Sequence, residues 1–205
     1  MIKFKYGKVF VFLSMLLMVS CSSDDVVIVE PSQVPKPVVG QRYKGGIVAY
    51  IFKSGDQGYV EGEDHGLIVT ENDISEGIKW GPNYQFVYSN KNAIGQGLPN
   101  TQLIVAKFGQ DENAAKLCYD LILNGYDDWY LPSFWELLAI ESNKSKIGNM
   151  AGIYWSSSEW IFVDAHVGLA TAYTAFTKNF TVYSPSVDEK MMKTDTHKVR
   201  AVRNF

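Results

Sequence analysis

The side chains of this 205-residue chain best suited to metal or nucleophile chemistry are three histidines, two cysteines and one serine run. His65, His166 and His197 stand at no metal-ligand spacing, such as i, i+4 on a helix, to one another or to a cysteine, so no zinc set is expected. The run Ser156-Ser157-Ser158 lacks the Gly-x-Ser-x-Gly frame that strains and exposes a hydrolase nucleophile. Asp127 and Asp128 are adjacent; in an extended segment their carboxylates point to opposite sides and do not make an acid–base pair. These patterns argue against catalysis, and no metal or cofactor is expected.

Recognition chemistry is better represented. Between Trp160 and Lys193 lie Trp160, Phe162, Asp164, His166, Tyr173, Asn179 and Tyr183, with Phe176 among them and Gly168 and Pro185 as breaks. Rigid rings supply contact area at low entropic cost and short polar side chains adapt around them, which is the composition of a recognition surface. We read those seven residues as the candidate ligand-binding set. Alternate members such as Phe162, Val167, Leu169, Tyr173 and Phe176 could equally fill a β-core.

The start of the chain gives an address. Lys3, Lys5 and Lys8 precede an apolar run from Val9 to Val19, shorter than the roughly 20 residues a bilayer span needs. This reads as a signal peptide, residues 1–20. It ends in Met18-Val19-Ser20-Cys21, which resembles a lipobox, so Cys21 is the expected lipidation site, its acyl chains (palmitate among them) inserting in a membrane. Ser22-Ser23-Asp24-Asp25 resembles the acidic export tag of Bacteroidetes surface lipoproteins and implies an outer-membrane, outward-facing location. Pro31, Pro35 and Pro37 make residues 21–39 a semi-extended tether. Loss of residues 1–20 removes three lysines and no acid, leaving 16 basic against 22 acidic residues, a net charge of −6. An acidic domain is a poor partner for nucleic acid, which is bound by basic surfaces through counterion release.

Stepping from these residues to the elements that must hold them, the stretch Gly125–Glu159 concentrates Trp129, Tyr130, Trp135, Tyr154 and Trp155 around one short helix. Ser133-Phe134-Trp135-Glu136 has capping-box spacing, so the helix should begin after Pro132, with Trp135, Leu138 and Ala139 facing inward and Leu137 and Ile140 widening the stripe. A second helix is expected over Asp111–Leu123, burying Cys118 and ending at Asn124-Gly125. Strands are expected at Gly46–Phe52, His65–Thr70, Ile78–Gly81, Ile153–Trp155 and Lys198–Arg203, the last pairing with the first. Pro82–Phe108, rich in Asn, Gly and Gln, reads as a long excursion that packs through Tyr84, Phe86, Tyr88 and Ile94, and loops of that length inside compact domains are often functional.

Asp128-Trp129-Tyr130-Leu131-Pro132-Ser133, Glu136-Leu137, Tyr154-Trp155-Ser156-Ser157-Ser158-Glu159 and Val199-Arg200-Ala201-Val202-Arg203, in that order, resemble the Lcl C-terminal domain family, named from the Legionella collagen-like adhesin. The resemblance covers residues 40–205. It implies an α+β, C-type-lectin-like domain of two helices on mostly antiparallel strands, related to formylglycine-generating enzymes. In it Trp129, Leu131, Pro132, Glu136, Trp155 and Ser157 are structural core, the serine hydroxyls satisfy backbone beside Trp155, and the C-terminal part carries the ligand contacts. Leu98-Pro99-Asn100 invites comparison with the calcium loop of sugar-binding C-type lectins, but calcium needs a carboxylate where Leu98 stands. The enzyme relatives work through cysteines, of which this domain has only Cys118. The expectation is a surface-anchored, adhesin-like lipoprotein that binds an extracellular glycan or protein without catalysis. The alternatives are a structural component of an envelope complex or, third, a formylglycine-generating-like catalyst.

Overall fold

Ser133 ends the incoming extended chain and starts a helix, α3 (Phe134–Ser142), by the reciprocal bonding its spacing predicts. Its hydroxyl accepts from the Glu136 N–H at 3.4 Å, and the Glu136 carboxylate accepts from the Ser133 N–H at 2.8 Å. Glu136 is fully buried and also accepts from the N–H groups of Gly95, at 2.8 Å, and Gly97. The computed structural model describes residues 36–163, 170–181 and 189–205. The signal peptide, Cys21 and most of the tether therefore lie outside the described residues, as do Asp164, His166 and Tyr183.

The inward face of α3 agrees with the expected one at Leu137 and Ile140 and differs at Trp135. Phe134, Glu136, Leu137 and Ile140 are buried, whereas Trp135 is 54% exposed. Every position from 134 to 140 except 136 is apolar, so periodicity alone does not orient the helix. Packing decides: Phe134 stacks on Phe176 with ring centroids 4.7 Å apart.

Three further helices occur among the described residues: α1 (Gly97–Phe108), α2 (Ala114–Tyr119) and α4 (Lys144–Ile147). Helix α1 lies inside the segment read as an irregular excursion. Pro99 sits in its first turn, where the missing N–H breaks no helical bond, and Thr101, Ile104 and Phe108 form its buried stripe. Helix α2 is shorter than expected. The Asn113 side chain caps it, accepting from the Lys116 N–H at 2.9 Å, while Asn124-Gly125 makes a turn between the bridged Leu123 and Tyr126 rather than a helix end.

Nine strands form two sheets among the described residues. The first, β1 (Arg42–Tyr43), β2 (Gly46–Ile51), β3 (Gly66–Val69) and β9 (Val202–Asn204), is antiparallel in the order β1-β2-β3-β9. The second, β4 (Ser75–Lys79), β5 (Ile153–Val163), β6 (Ala170–Asn179), β7 (Glu189–Met192) and β8 (Thr196–Val199), has the order β4-β8-β5-β6-β7. The architecture is mixed α+β. The expected final strand is split in two: β8 joins the second sheet, and β9 pairs with β3 rather than with the first long strand β2.

β3 is buried along its whole length and divides two cores. Ile68 packs with Trp80, Trp129, Leu131, Trp155 and the faces of α1 and α2; Leu67 and Val69 pack on the opposite side with Tyr130, Leu137, Ile140 and Tyr154. Two buried indoles find carbonyl partners: Trp80 Nε1 donates to Ser156 O and Trp155 Nε1 to Ile78 O, each at 2.8 Å.

Burial pushes the Glu136 carboxyl from 4.5 up to about 7, against the pull of the backbone amides that bond to it. A folded-state value above the unfolded one favours folding below pH 4.5, and that contribution is lost as pH rises through about 7. The stability of the wild type relative to Glu136→Gln, measured by urea unfolding, is therefore expected to fall by about 3 kcal/mol between pH 4.5 and about pH 8.

Candidate functional site

The long hairpin β5–β6 and its neighbour β7 decide where the candidate ligand-binding side chains go. Pairing puts Trp160 opposite Thr174, Thr174 opposite Met192 and Phe176 opposite Lys190, all on one face. Glu159, Ala175, Met191 and Trp155 lie on the other face, toward the core. On the first face the edge of the Trp160 ring meets Phe176 at 5.4 Å, and the Lys190 ammonium sits 4.0 Å from the Trp160 ring centre. Phe162, past a register shift, is 51% exposed.

Tyr173 points to the opposite face, where it meets Tyr84 edge-on at 4.6 Å. Asn179 is at the far end of the hairpin, opposite Ile153 and about 17 Å along the strand from Thr174. There its N–H donates to Glu189 Oε2 at 2.7 Å and its Oδ1 accepts from the Thr181 N–H at 2.9 Å. The structure thus brings Trp160 and Phe162 to one end of the hairpin, places Tyr173 on the reverse face and separates Asn179 from both.

What joins Tyr173 is the loop 82–92, the first part of the long excursion and outside the seven residues read as the ligand-binding set. Tyr84 and Tyr88 are 73% and 65% exposed, and both hold a left-handed backbone at φ 63°. Such a conformation costs on the order of 1–3 kcal/mol for a residue with a Cβ and persists only where surrounding bonds fix it. The bonds are present. Glu159, buried on β5, accepts from the N–H of Val87 at 3.1 Å and of Tyr88 at 2.7 Å, and pairs with the buried ammonium of Lys193. Lys193 Nζ donates in turn to Gln85 O at 2.9 Å. Burial lowers the pKa of Lys193, and the Glu159 carboxylate opposes that shift. Phe86 stacks on Tyr88 at 5.6 Å, so the loop presents a short row of rings.

The remaining candidates have structural placements. Trp129, Leu131, Pro132, Glu136, Trp155 and Ser157 are buried. Ser156 Oγ donates to Phe176 O at 2.8 Å and Ser158 Oγ to Lys91 O at 3.0 Å, while the Ser157 hydroxyl is buried with no partner and its N–H donates to Pro132 O at 2.8 Å. Asp128 forms a forked pair with Arg203, whose guanidinium also lies 3.8 Å from the Tyr126 ring centre. His65 shares its ring nitrogens between Phe205 O and Glu63, and His197 packs on Trp155. Burial pushes the Cys118 thiol up.

A polar cleft of about 410 Å³ lies between Arg42, Thr70–Ile74 and Leu121–Asn124. Its acids are engaged: Glu71 pairs with Arg42, and Asp73 with Lys198, Arg200 and the Tyr154 hydroxyl. Among the described residues no group of three or more His, Cys, Asp or Glu is placed to hold a metal ion. Nor is any helix among them long and apolar enough to cross a membrane.

No family model matches this chain, and a comparison with curated proteins finds none similar to it.

Lys193→Ala should destabilise the protein by about 3–5 kcal/mol, because it leaves the Glu159 carboxylate buried and unpaired. Replacing the pair by Met and Leu should restore much of that stability in urea unfolding. The double variant also removes the Glu159 acceptor of Val87 and Tyr88, so limited proteolysis should cut the loop 82–92 in it faster than in the wild type.

Proposed function

We propose that this chain is a lipoprotein anchored in the outer membrane through acylated Cys21, whose C-type-lectin-like domain binds an extracellular glycan or protein and catalyses no reaction. The observation that carries this reading is the pair Tyr84 and Tyr88, exposed on strained backbone in a loop whose Gln85, Val87 and Tyr88 are fastened by a buried ion pair. Rings left this exposed on a fixed frame gain only their ring contacts from folding and offer the rest of their area to a partner. The neighbouring Tyr173 extends this surface, and Trp160 with Phe162 forms a second aromatic edge on the same hairpin. The ordered motif series from Asp128 to Arg203 and the mixed α+β architecture support the lectin-like assignment. The lipobox, acidic tag and proline-containing tether support display outside the cell. The engaged acids of the polar cleft favour binding over catalysis.

A role as a component of an envelope complex is the second reading, since the same rings suit a protein neighbour. Cross-linking in intact cells separates the two: a single envelope protein captured through residues 84–88 favours the complex.

Two measurements test the proposal. The full-length protein in detergent, applied to glycan arrays and to extracellular protein preparations, should lose about tenfold or more of its binding in Tyr84→Ala/Tyr88→Ala with its circular dichroism unchanged. Binding equal to wild type would remove this surface. Cys21→Ala should abolish incorporation of a palmitate analogue and release the protein from the membrane fraction; retention there would refute the anchor.

A further inference from the structure

Trp135 is the one indole among the described residues that is more exposed than buried, and it stands where three separate segments meet. The residues on either side of it, Phe134 and Glu136, are buried, so the ring projects from a fixed base. The Trp135 backbone N–H donates to Asn92 O at 2.9 Å, and Ser133 Oγ donates to Ala93 O at 2.8 Å, which ties the loop 92–96 to the first turn of α3. The third segment is the turn 53–58. Asp56 Oδ2 closes it by accepting from the Tyr50 hydroxyl at 2.9 Å and the Lys53 N–H at 2.8 Å. The two loops touch: a Cβ on Gly95 would stand 2.7 Å from that of Gln57, so only glycine, which also holds φ 82° here, permits the approach.

Between these segments is a cavity of about 140 Å³ lined by Gly55, Asp56, Gln57, Ala93, Ile94 and Trp135. An enclosed engineered cavity of roughly 150 Å³ takes up benzene; this pocket instead opens to solvent beside the exposed Trp135 ring, so a single six-membered ring can rest in it with its rim outside. Its wall is mixed in a particular way. The indole and Ile94 offer an apolar side; Asp56 and Gln57 offer a carboxylate and a carboxamide. Gln96 bonds the Gln57 carboxamide oxygen from behind, and its own Oε1 is buried with no partner. A pocket with an aromatic floor and few convergent polar groups is a site for a ligand having one apolar face and a rim of hydroxyls.

We propose that this pocket binds a neutral hexopyranose residue of an oligosaccharide. The C–H face of the sugar lies on the Trp135 ring, whose negative π-face attracts polarised C–H groups. Its hydroxyls donate to Asp56 and exchange hydrogen bonds with Gln57. Asp56 is the only charged lining side chain, so the site disfavours acidic sugars. The proposal does not rest on Tyr84 and Tyr88.

Isothermal titration calorimetry tests it, with the full-length protein in detergent and cellohexaose, mannohexaose and chitohexaose as probes against hexagalacturonate. At least one neutral probe should bind and the galacturonate should not. Trp135→Ala should weaken that binding about tenfold or more, Trp135→Phe less, and Gln57→Ala measurably, with circular dichroism unchanged. Ile122→Ala, at an exposed position that belongs to neither aromatic surface, should leave it intact. No binding by any neutral probe, equal binding of the galacturonate, or unaltered affinity in Trp135→Ala would each overturn the proposal.

Discussion

The ion pair between Lys193 and Glu159 is the constraint on which the exposed face of this domain depends. Both side chains are fully buried, and withdrawing each charge from water costs several kcal/mol before any attraction is counted. The loss is offset by the number of bonds that converge there. Glu159 holds Val87 and Tyr88, Lys193 holds Gln85, and the Lys193 backbone carbonyl accepts from Trp80 and Gly81 at 3.0 and 3.2 Å. The aliphatic stem reaches past the Trp80 ring, with the ammonium 4.7 Å from its centre. One pair of charges thereby fastens β5, the end of β7, the start of the loop and the loop's middle. A loop with no strand or helix of its own gains a fixed backbone without a hydrogen-bonded ladder.

The same device recurs at three further places where irregular chain enters the interior. Arg200 is buried and donates to the carbonyls of Thr70, Glu71 and Asn149. Glu136 does the converse, gathering the N–H groups of Ser133, Gly95 and Gly97. Arg203 reaches Lys44 O while forking onto Asp128. Buried peptide groups outside helices and sheets must find partners, and in this domain charged side chains supply many of them. Each such side chain joins segments far apart in sequence, so charge here sets the paths of the loops more than it adds net stability.

This also explains which features were legible in the sequence. The capping box at Ser133 was readable because its two bonds span three residues. The strands at Gly46 and Gly66, and the burial of Trp129, Leu131 and Trp155, followed from apolar runs and ring size. Helix α1 was not, because Gly95, Gly97, Pro99 and Asn100 are loop formers by composition. Its stripe, Thr101, Ile104 and Phe108, is thin. The direction of Trp135 was hidden because α3 is apolar on nearly every side, and the contact of Phe134 with Phe176, 42 positions further along the chain, chose Phe134 instead. The aromatic residues after Trp160 were read as one group, yet strand alternation divides Trp160 from Tyr173, and only the pairing register says so. The joining of residue 159 to 193 leaves no local signature at all.

Strain at Tyr84 and Tyr88, the desolvation of Lys193 and Glu159, and the exposure of two tyrosine rings are three unfavourable features concentrated in one place. Against a total stability of about 5–15 kcal/mol for an ordinary domain, their sum is large. A flexible polar loop would avoid all three and close the same gap in the chain. What it would lose is the fixed placement of the rings. Ordering a loop on binding costs about 1–2 kcal/mol per residue in backbone freedom, and a loop already fastened by Glu159 and Lys193 has incurred that loss on folding. The arrangement therefore exchanges stability of the free protein for readiness of its surface, which is the balance expected where side chains meet a partner rather than where they only fill a core.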